Sequence, residues 1–178
     1  TIQLYGEGLK DGVLQWDGGT ERVLTENTAR LARLAGDIDD VSRAEEGRLE
    51  LDLAPLPVAD LVGSAVRGQQ DAFARAGVRL TGEHRSAGEA WVDVDAHRLR
   101  QVLDNLLRNA LRHTPAGGPV LVSARRSGDE VQVTVTDSGD GIPAEQLAHV
   151  FERFYRGDTA RDRDHGGSGI GLTISRAI

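Results

Sequence analysis

Asp137–Ser138–Gly139–Asp140–Gly141–Ile142–Pro143 decides how the chain is read. It follows Glu130–Thr136, in which Val131, Val133 and Val135 alternate with Gln132, Thr134 and Thr136, the period-two pattern of a half-buried strand. A carboxylate at the end of a strand, then Gly139 and Gly141, lets backbone approach a flat ligand that a Cβ would hold off. An ionised Asp only accepts hydrogen bonds, so its natural partner is an amine donor such as the exocyclic N6 of adenine. A strand that simply ends in an Asp-Gly turn is the plainer alternative.

The preceding helix carries a second polar signal. Over Asp95–His113, Leu99, Val102, Leu103, Leu106, Leu107 and Ala110 form an apolar stripe. Asn105, Asn109 and Arg112 fall at i, i+4 and i+7, one line at the margin of that stripe, where an amide can ligate a hard cation and a guanidinium can hold phosphate oxygens. An ordinary solvated face would show the same residues. Thr114–Gly118 stops the helix, and Pro119–Arg126 and Glu130–Asp137 read as a hairpin joined by Ser127–Asp129. Ala144–Phe154 reads as a short helix with Leu147, Val150 and Phe151 on one face, and the charged stretch from Arg156 to His165 as a mobile loop. Gly166–Leu172 (GGSGIGL) then enters a last helix. Glycines before a helix start expose consecutive N–H groups, which suit an anion such as a triphosphate. No Lys-Ser/Thr follows them as in a Walker loop, and no strand precedes them as in the dinucleotide fingerprint.

Upstream, Thr1–Lys10 reads as the tail of a helix and Asp11–Gly19 as a connection. From Thr20 to Arg43, Leu24, Leu31, Leu34, Ile38 and Val41 step by three or four along one seam, with acids and arginines elsewhere. A partner chain would cover that seam in a four-helix bundle; packing on the chain's own domain is the other possibility. Arg48–Leu53 (RLELDL) alternates as a short strand with its leucines inward, and Pro55 and Pro57 mark a boundary near residues 47–57. Val58–Ala76 reads as an amphipathic helix ending at Gly77, and Val78–Thr81 and Ala90–Val94 as strands across a turn.

The chain has 178 residues and a net charge of −7, and the acid is uneven: residues 1–57 hold six Lys/Arg against twelve Asp/Glu, and residues 58–178 fifteen against sixteen. The acidic front segment does not look like a nucleic-acid binder. Cys is absent, which excludes disulfides and thiolate metal sites, and with Met absent, even at the start, the sequence is expected to be a piece of a longer protein.

On these stretches the sequence resembles the sensor histidine kinases of two-component systems. Gln101–Pro115 is similar to their N box, Asp137–Pro143 to the first G box, Phe151–Arg156 (FERFYR) to the F box and Gly166–Leu172 to the second G box, in order. The resemblance implies an α/β fold: a helical hairpin over residues 1–46, half of a dimeric four-helix bundle, then a Bergerat-type α/β sandwich over 47–178. It implies ATP and Mg²⁺ as ligands, with Asp137 on the adenine amine, Gly139, Gly141 and Ile142 beside the base, Asn109 on Mg²⁺, and Asn105 and Arg112 near the phosphates. His113 would pack on the base, Gly167, Gly169 and Gly171 would line the triphosphate under a lid spanning 140–169, and Arg156, Ser168, Ile170 and Leu172 would also belong to the ATP site. Phe151 and Phe154 would anchor that lid. A homodimer through the 20–43 helix, a response regulator as partner and a cytoplasmic location follow from the same likeness. No His precedes His84, so the phosphoacceptor is expected upstream of Thr1, and two closing strands are expected beyond Ile178. Other Bergerat-type ATPases, an anti-sigma-type serine kinase and a transfer-dead binding module are the alternatives.

Overall fold

The computed structural model describes residues 2–13, 16–46, 48–155 and 169–178. A first helix, α1 (Ile2–Lys10), packs against a long second one, α2 (Gly18–Glu45), as an α-hairpin. Asp17 caps α2: its Oδ1 accepts the Thr20 N–H at 2.8 Å, so the helix starts two residues ahead of its apolar pattern.

The remaining elements are β1 (Ala54–Pro57), α3 (Val58–Arg75), β2 (Arg79–Glu83), β3 (Trp91–Val94), α4 (Ala96–His113), β4 (Pro119–Ser127), β5 (Glu130–Asp137), α5 (Ala144–Leu147) and α6 (Gly171–Ala177). A three-stranded mixed sheet runs β2-β4-β5, with β2 parallel and β5 antiparallel to β4, and β1 pairs antiparallel with β3 in a separate ribbon. Val120, Val122 and Ala124 of β4 are buried, and with the half-buried valines of β5 they pack into the same core as α3 and α4. Phe73 and Leu107, both 0% exposed, are at its centre. The opposite sheet face carries Thr81, Arg125, Gln132 and Thr134, and Arg125 Nη2 donates to Gln132 Oε1 there at 2.7 Å. One covered face and one wet face explain why the alternation in β5 was so regular.

Gly77 ends α3 as expected. At φ +68 it lets the Gly77 N–H reach the Ala74 carbonyl (3.1 Å) and the Val78 N–H the Phe73 carbonyl (3.0 Å), the paired bonds of a Schellman cap, with Val78 and Phe73 both buried. The β4–β5 hairpin is tighter than expected: Ser127 pairs with Glu130, leaving a two-residue loop with Gly128 at φ +65.

Three local expectations need correction. Arg48–Leu53 is not a strand, and Leu51 and Leu53 are 43% and 59% exposed. The last pair of the ribbon is Ala54 with Val94, and β3 gives way there to the Asp95 cap of α4, so the preceding leucines have no continuing strand to pair with. The Val58 N–H donates to the Ala90 carbonyl at 3.0 Å, so along β1 the even-numbered residues turn toward β3 while Pro55 and Pro57 turn away. Next, β2 and β3 are not partners across their turn; a 3₁₀ turn at Arg85–Ala87 and Gly88 at φ +61 redirect the chain to the ribbon. Finally, the helix expected to Phe154 stops at Leu147 and continues as i→i−3 turns, ending with Phe154 at φ +61.

Candidate functional site

The C-terminal end of α4 and the loop after β5 meet at the end of the sheet. Asp95 starts α4: its Oδ1 accepts the Arg98 N–H at 2.9 Å and its Oδ2 the Asp52 N–H at 3.1 Å, and these two bonds hold its carboxyl below the usual carboxylate range. At the other end, Thr114 is the first non-helical residue, and its N–H still reaches the Ala110 carbonyl at 2.9 Å.

Asp137 is the last residue of β5 and exposed. Its Oδ1 accepts the Gly139 N–H at 2.8 Å, a local turn that aims the carboxylate, while Oδ2 makes no hydrogen bond among the described residues. Ser138 Oγ donates to the Pro119 carbonyl at 3.2 Å and ties the loop to the start of β4. Gly139 is required sterically, because a Cβ there would collide with the His113 carbonyl. Gly141 is required conformationally: φ is +73, and a Cβ there would meet only open space. The 49% exposed Ile142 follows it. Here an acceptor with a free lone pair borders a strip of backbone with nothing over it.

The polar line along α4 divides in two. Asn109 is half-buried, and its amide has no hydrogen-bond partner among the described residues. Arg112 and His113 are exposed in the last turn beside it. Asn105, by contrast, is 4% exposed and fully engaged: Nδ2 donates to the Gly171 carbonyl at 3.1 Å, and Oδ1 accepts from Arg108 Nη2. The expected phosphate-side amide is therefore a strut between α4 and α6.

Arg156, and Gly167 and Ser168 of the glycine-rich turn, lie outside the described residues. Gly169, at φ +71, lies against the backbone of Phe154 and Tyr155, and its carbonyl accepts the Phe154 N–H at 3.0 Å. Ile170 does not line the site with its side chain. It is 3% exposed and packs with Val41 and Ile174, because successive residues entering a helix point in different directions and the apolar one turns to α2. Gly171 abuts the Asn105 side chain, and Leu172 is half-buried. Phe151 takes the Arg176 guanidinium over its ring at 5.6 Å, and Phe154, 63% exposed, borders a small recess with Ile38, Val41 and Ile170.

Two features escaped the sequence. The hydroxyls of Thr114 and Thr173 are buried without a partner among the described residues, and no spacing announces an orphaned hydroxyl. The other is a polar contact from α2 to α4. Arg98 Nη1 donates to Asp40 Oδ2 at 2.5 Å, and Gln101 Nε2 to the same oxygen at 3.0 Å. Burial works to raise the Asp40 pKa, but those bonds, with the charges of Arg98 and Arg43, outweigh it and hold the carboxyl below its ordinary value. Among the described residues no group of three or more His, Cys, Asp or Glu could hold a metal, and no helix is long and apolar enough to cross a membrane.

Comparison with known proteins agrees with this geometry. Residues 94–178 match the family described as histidine kinase-, DNA gyrase B-, and HSP90-like ATPase, a span that contains α4, the β5 loop and the glycine-rich turn. The signal transduction histidine-protein kinase BaeS of Escherichia coli is 36% identical over 171 residues, which is 94% of this chain and 36% of BaeS. The chain belongs to the sensor histidine kinase family. Its fold matches the Acinetobacter baumannii histidine kinase AdeS with a TM-score of 0.80 at 24% identity, covering 99% of this chain and 80% of that one. Full-length ShkA, solved in complex with AMPPNP, matches with a TM-score of 0.76 at 26% identity over 92% of this chain and 34% of its own. As a histidine kinase core, the chain spans about a third of BaeS.

Proposed function

We propose that this histidine kinase core binds Mg²⁺-ATP between α4, the β5 loop and the glycine-rich turn. It would serve transfer of the γ-phosphoryl group to a histidine of the dimerisation hairpin, and from there to an aspartate of a response regulator. The observation that carries the reading is Asp137: one carboxylate oxygen fixed by Gly139, the other free beside the open backbone of Gly141. That oxygen suits the adenine amine, and Ile142 offers apolar surface to the ring.

Asn109 fits the metal role. Its half-buried amide has no partner among the described residues and is still open to solvent, so its oxygen is available to a ligand. Mg²⁺ is typically held by one or two protein oxygens plus phosphate oxygens and waters, so a single amide is in keeping with it. Mg²⁺ there would neutralise charge on the transferring phosphates. Arg112 and His113, exposed in the same turn, would meet the phosphates and the base, and Arg156, Gly167, Ser168 and Gly169 would complete the phosphate side. Such catalysis is mainly positioning and charge neutralisation, which is why the residues are amides, glycines and arginines rather than nucleophiles. The ATP-analogue in ShkA supports the same ligand class for this chain.

Homodimerisation through α2 is supported by its seam. Leu34 and Val41 are covered by the chain's own α6, while Leu31 and Ile38 remain 57% and 47% exposed and would meet a partner chain. The family's setting for such a core is the cytoplasmic part of a sensor.

Calorimetry with ADP and MgCl₂ tests the site. Heat of binding is expected for the parent, and Asp137→Asn, which turns an acceptor toward a mixed donor and acceptor, is expected to lose at least ~10-fold in affinity, about 1.4 kcal/mol. A well-folded parent that gives no heat overturns the reading. Transfer is tested with a longer chain that includes the upstream histidine: acid-labile label from γ-phosphate ATP is expected, and acid-stable label on a partner points to a serine kinase instead.

A further inference from the structure

Helix α3 carries two glycines in its interior, Gly63 and Gly68, where Gly costs helix stability relative to Ala. Each has a guanidinium lying against it. A Cβ at Gly63 would come within 2.9 Å of Arg67 Nη1, and one at Gly68 within 2.5 Å of Nη2 of Arg100, which belongs to α4. The two glycines therefore set where these cations rest. Asp104 steadies the second: its Oδ1 accepts from Gln69 Nε2 at 2.8 Å, and its Oδ2 lies 3.7 Å from Arg100 Nε. Apart from that long ion pair, neither guanidinium has an acceptor among the described residues.

Both arginines line a cavity of about 250 Å³ between α3, α4 and β1. Its wall is apolar, with Leu61, Ala65 and Leu103 buried and Leu56 half-buried. Asp60, exposed in the first turn of α3, stands seven positions before Arg67, ~10 Å along the helix. On α4 the lining ends at Leu103, six positions or ~9 Å of helix short of Asn109, so the cavity is separate from the nucleotide site. An apolar wall with a few polar groups gathered at its ends is the make-up of a small-molecule pocket. A guanidinium fork matches a carboxylate, and two forks with unspent donors at one end call for an anion there.

We propose that this cavity is a second ligand site, selective for a small amphipathic carboxylate. The carboxylate meets Arg67 and Arg100, and the apolar body lies over Leu61, Ala65 and Leu103. Asp60 repels a second acid at the far end, so the site prefers a monoanion to a dianion of the same length.

NMR titration of the whole ¹⁵N-labelled chain with octanoate tests it. Saturable shifts at the residues lining the cavity are expected, with a Kd of about 1 mM. Octanamide has no charge, octanedioate brings a second acid toward Asp60, and inorganic phosphate has no apolar body. Each is expected to bind at least ~5-fold more weakly than octanoate. Arg67→Gln should weaken octanoate about 10-fold, the loss of a charge-assisted hydrogen bond. Gly68→Ala separates site from scaffold, because the added methyl displaces only the far end of Arg100. It is expected to raise Tm through helix propensity while weakening octanoate at least ~3-fold, whereas a merely structural glycine would leave binding unchanged. No saturable shift in the folded parent up to about 10 mM octanoate overturns the proposal. So does equal binding of any of the three comparison compounds, or octanoate binding that both variants leave unchanged.

Discussion

Asn105 of α4 donates its side-chain amide to the carbonyl of Gly171, the first residue of α6, at 3.1 Å across 66 positions of sequence. This bond, with the Ile174 side chain buried at 0% exposure below it, decides where α6 lies.

Asn105→Ala should therefore destabilise the chain by about 0.5–1.5 kcal/mol, because it removes one of two side-chain donors on the Gly171 carbonyl, Ser175 Oγ keeping the other at 2.8 Å, and removes packing at a 4% exposed position. For a chain of this size that corresponds to a fall in Tm of roughly 2–4 °C per kcal/mol. Thermal unfolding followed by circular dichroism checks it, and an unchanged Tm would show that the bond is incidental.

Gly139 and Gly141 should fail for different reasons. Gly139→Ala drives a Cβ into the His113 carbonyl, so the loop must move off α4, and nucleotide affinity is expected to drop together with stability. Gly141→Ala meets no atom but places an alanine at φ +73, a strain of roughly 1–2 kcal/mol. Paired measurements of Tm and ADP affinity separate the two: at Gly141, Asn should be tolerated better than Ala, and at Gly139 no such preference is expected.

The Asp40 contact predicts a pH window. Its folded pKa lies below its ordinary value of about 3.9, so the contribution to stability is fully present above that value and is lost as pH falls through the lower, folded one. The groups facing it are Arg98, Gln101 and Arg43, and Asp37 lies next to Gln101. The difference in unfolding free energy between the parent and Asp40→Asn should be constant from pH 7 to about pH 5 and should close below about pH 4. A gap that instead closes near neutral pH would assign the effect to another group.

Asp95→Asn and Asp95→Ala should diverge. Asn retains an oxygen for the Arg98 N–H, whereas Ala releases both that bond and the Asp52 N–H. Ala is expected to lower Tm more than Asn and to raise amide exchange at Asp52 and in the first turn of α4.

Much of the local geometry was legible because its signals are local. Three valines at alternate positions need only one covered sheet face, Gly141 needs only its own φ, and Asn109 and Arg112 lie on one helix. The misreadings arose where distant segments compete. Arg48–Leu53 has the alternation of a strand, but β3 has only four residues, and Ala54–Pro57 takes them. Asn105 and Asn109 look equivalent along α4, and only the return of Gly171 separates a committed amide from a free one. The Asp40–Arg98 pair carries no sequence signal, because a charge on an amphipathic helix is indistinguishable from half of an ion pair until the other half is placed.

The proline pattern of β1 has a further consequence. Among the described residues no strand pairs with the outer margin of β1, and the two residues of β1 that turn toward it, Pro55 and Pro57, carry no N–H to offer. A stray extended chain arriving there finds no donors to pair with, so the margin resists edge-to-edge self-association. Replacing either proline with threonine would restore a donor, and slow aggregation on storage would be its visible sign.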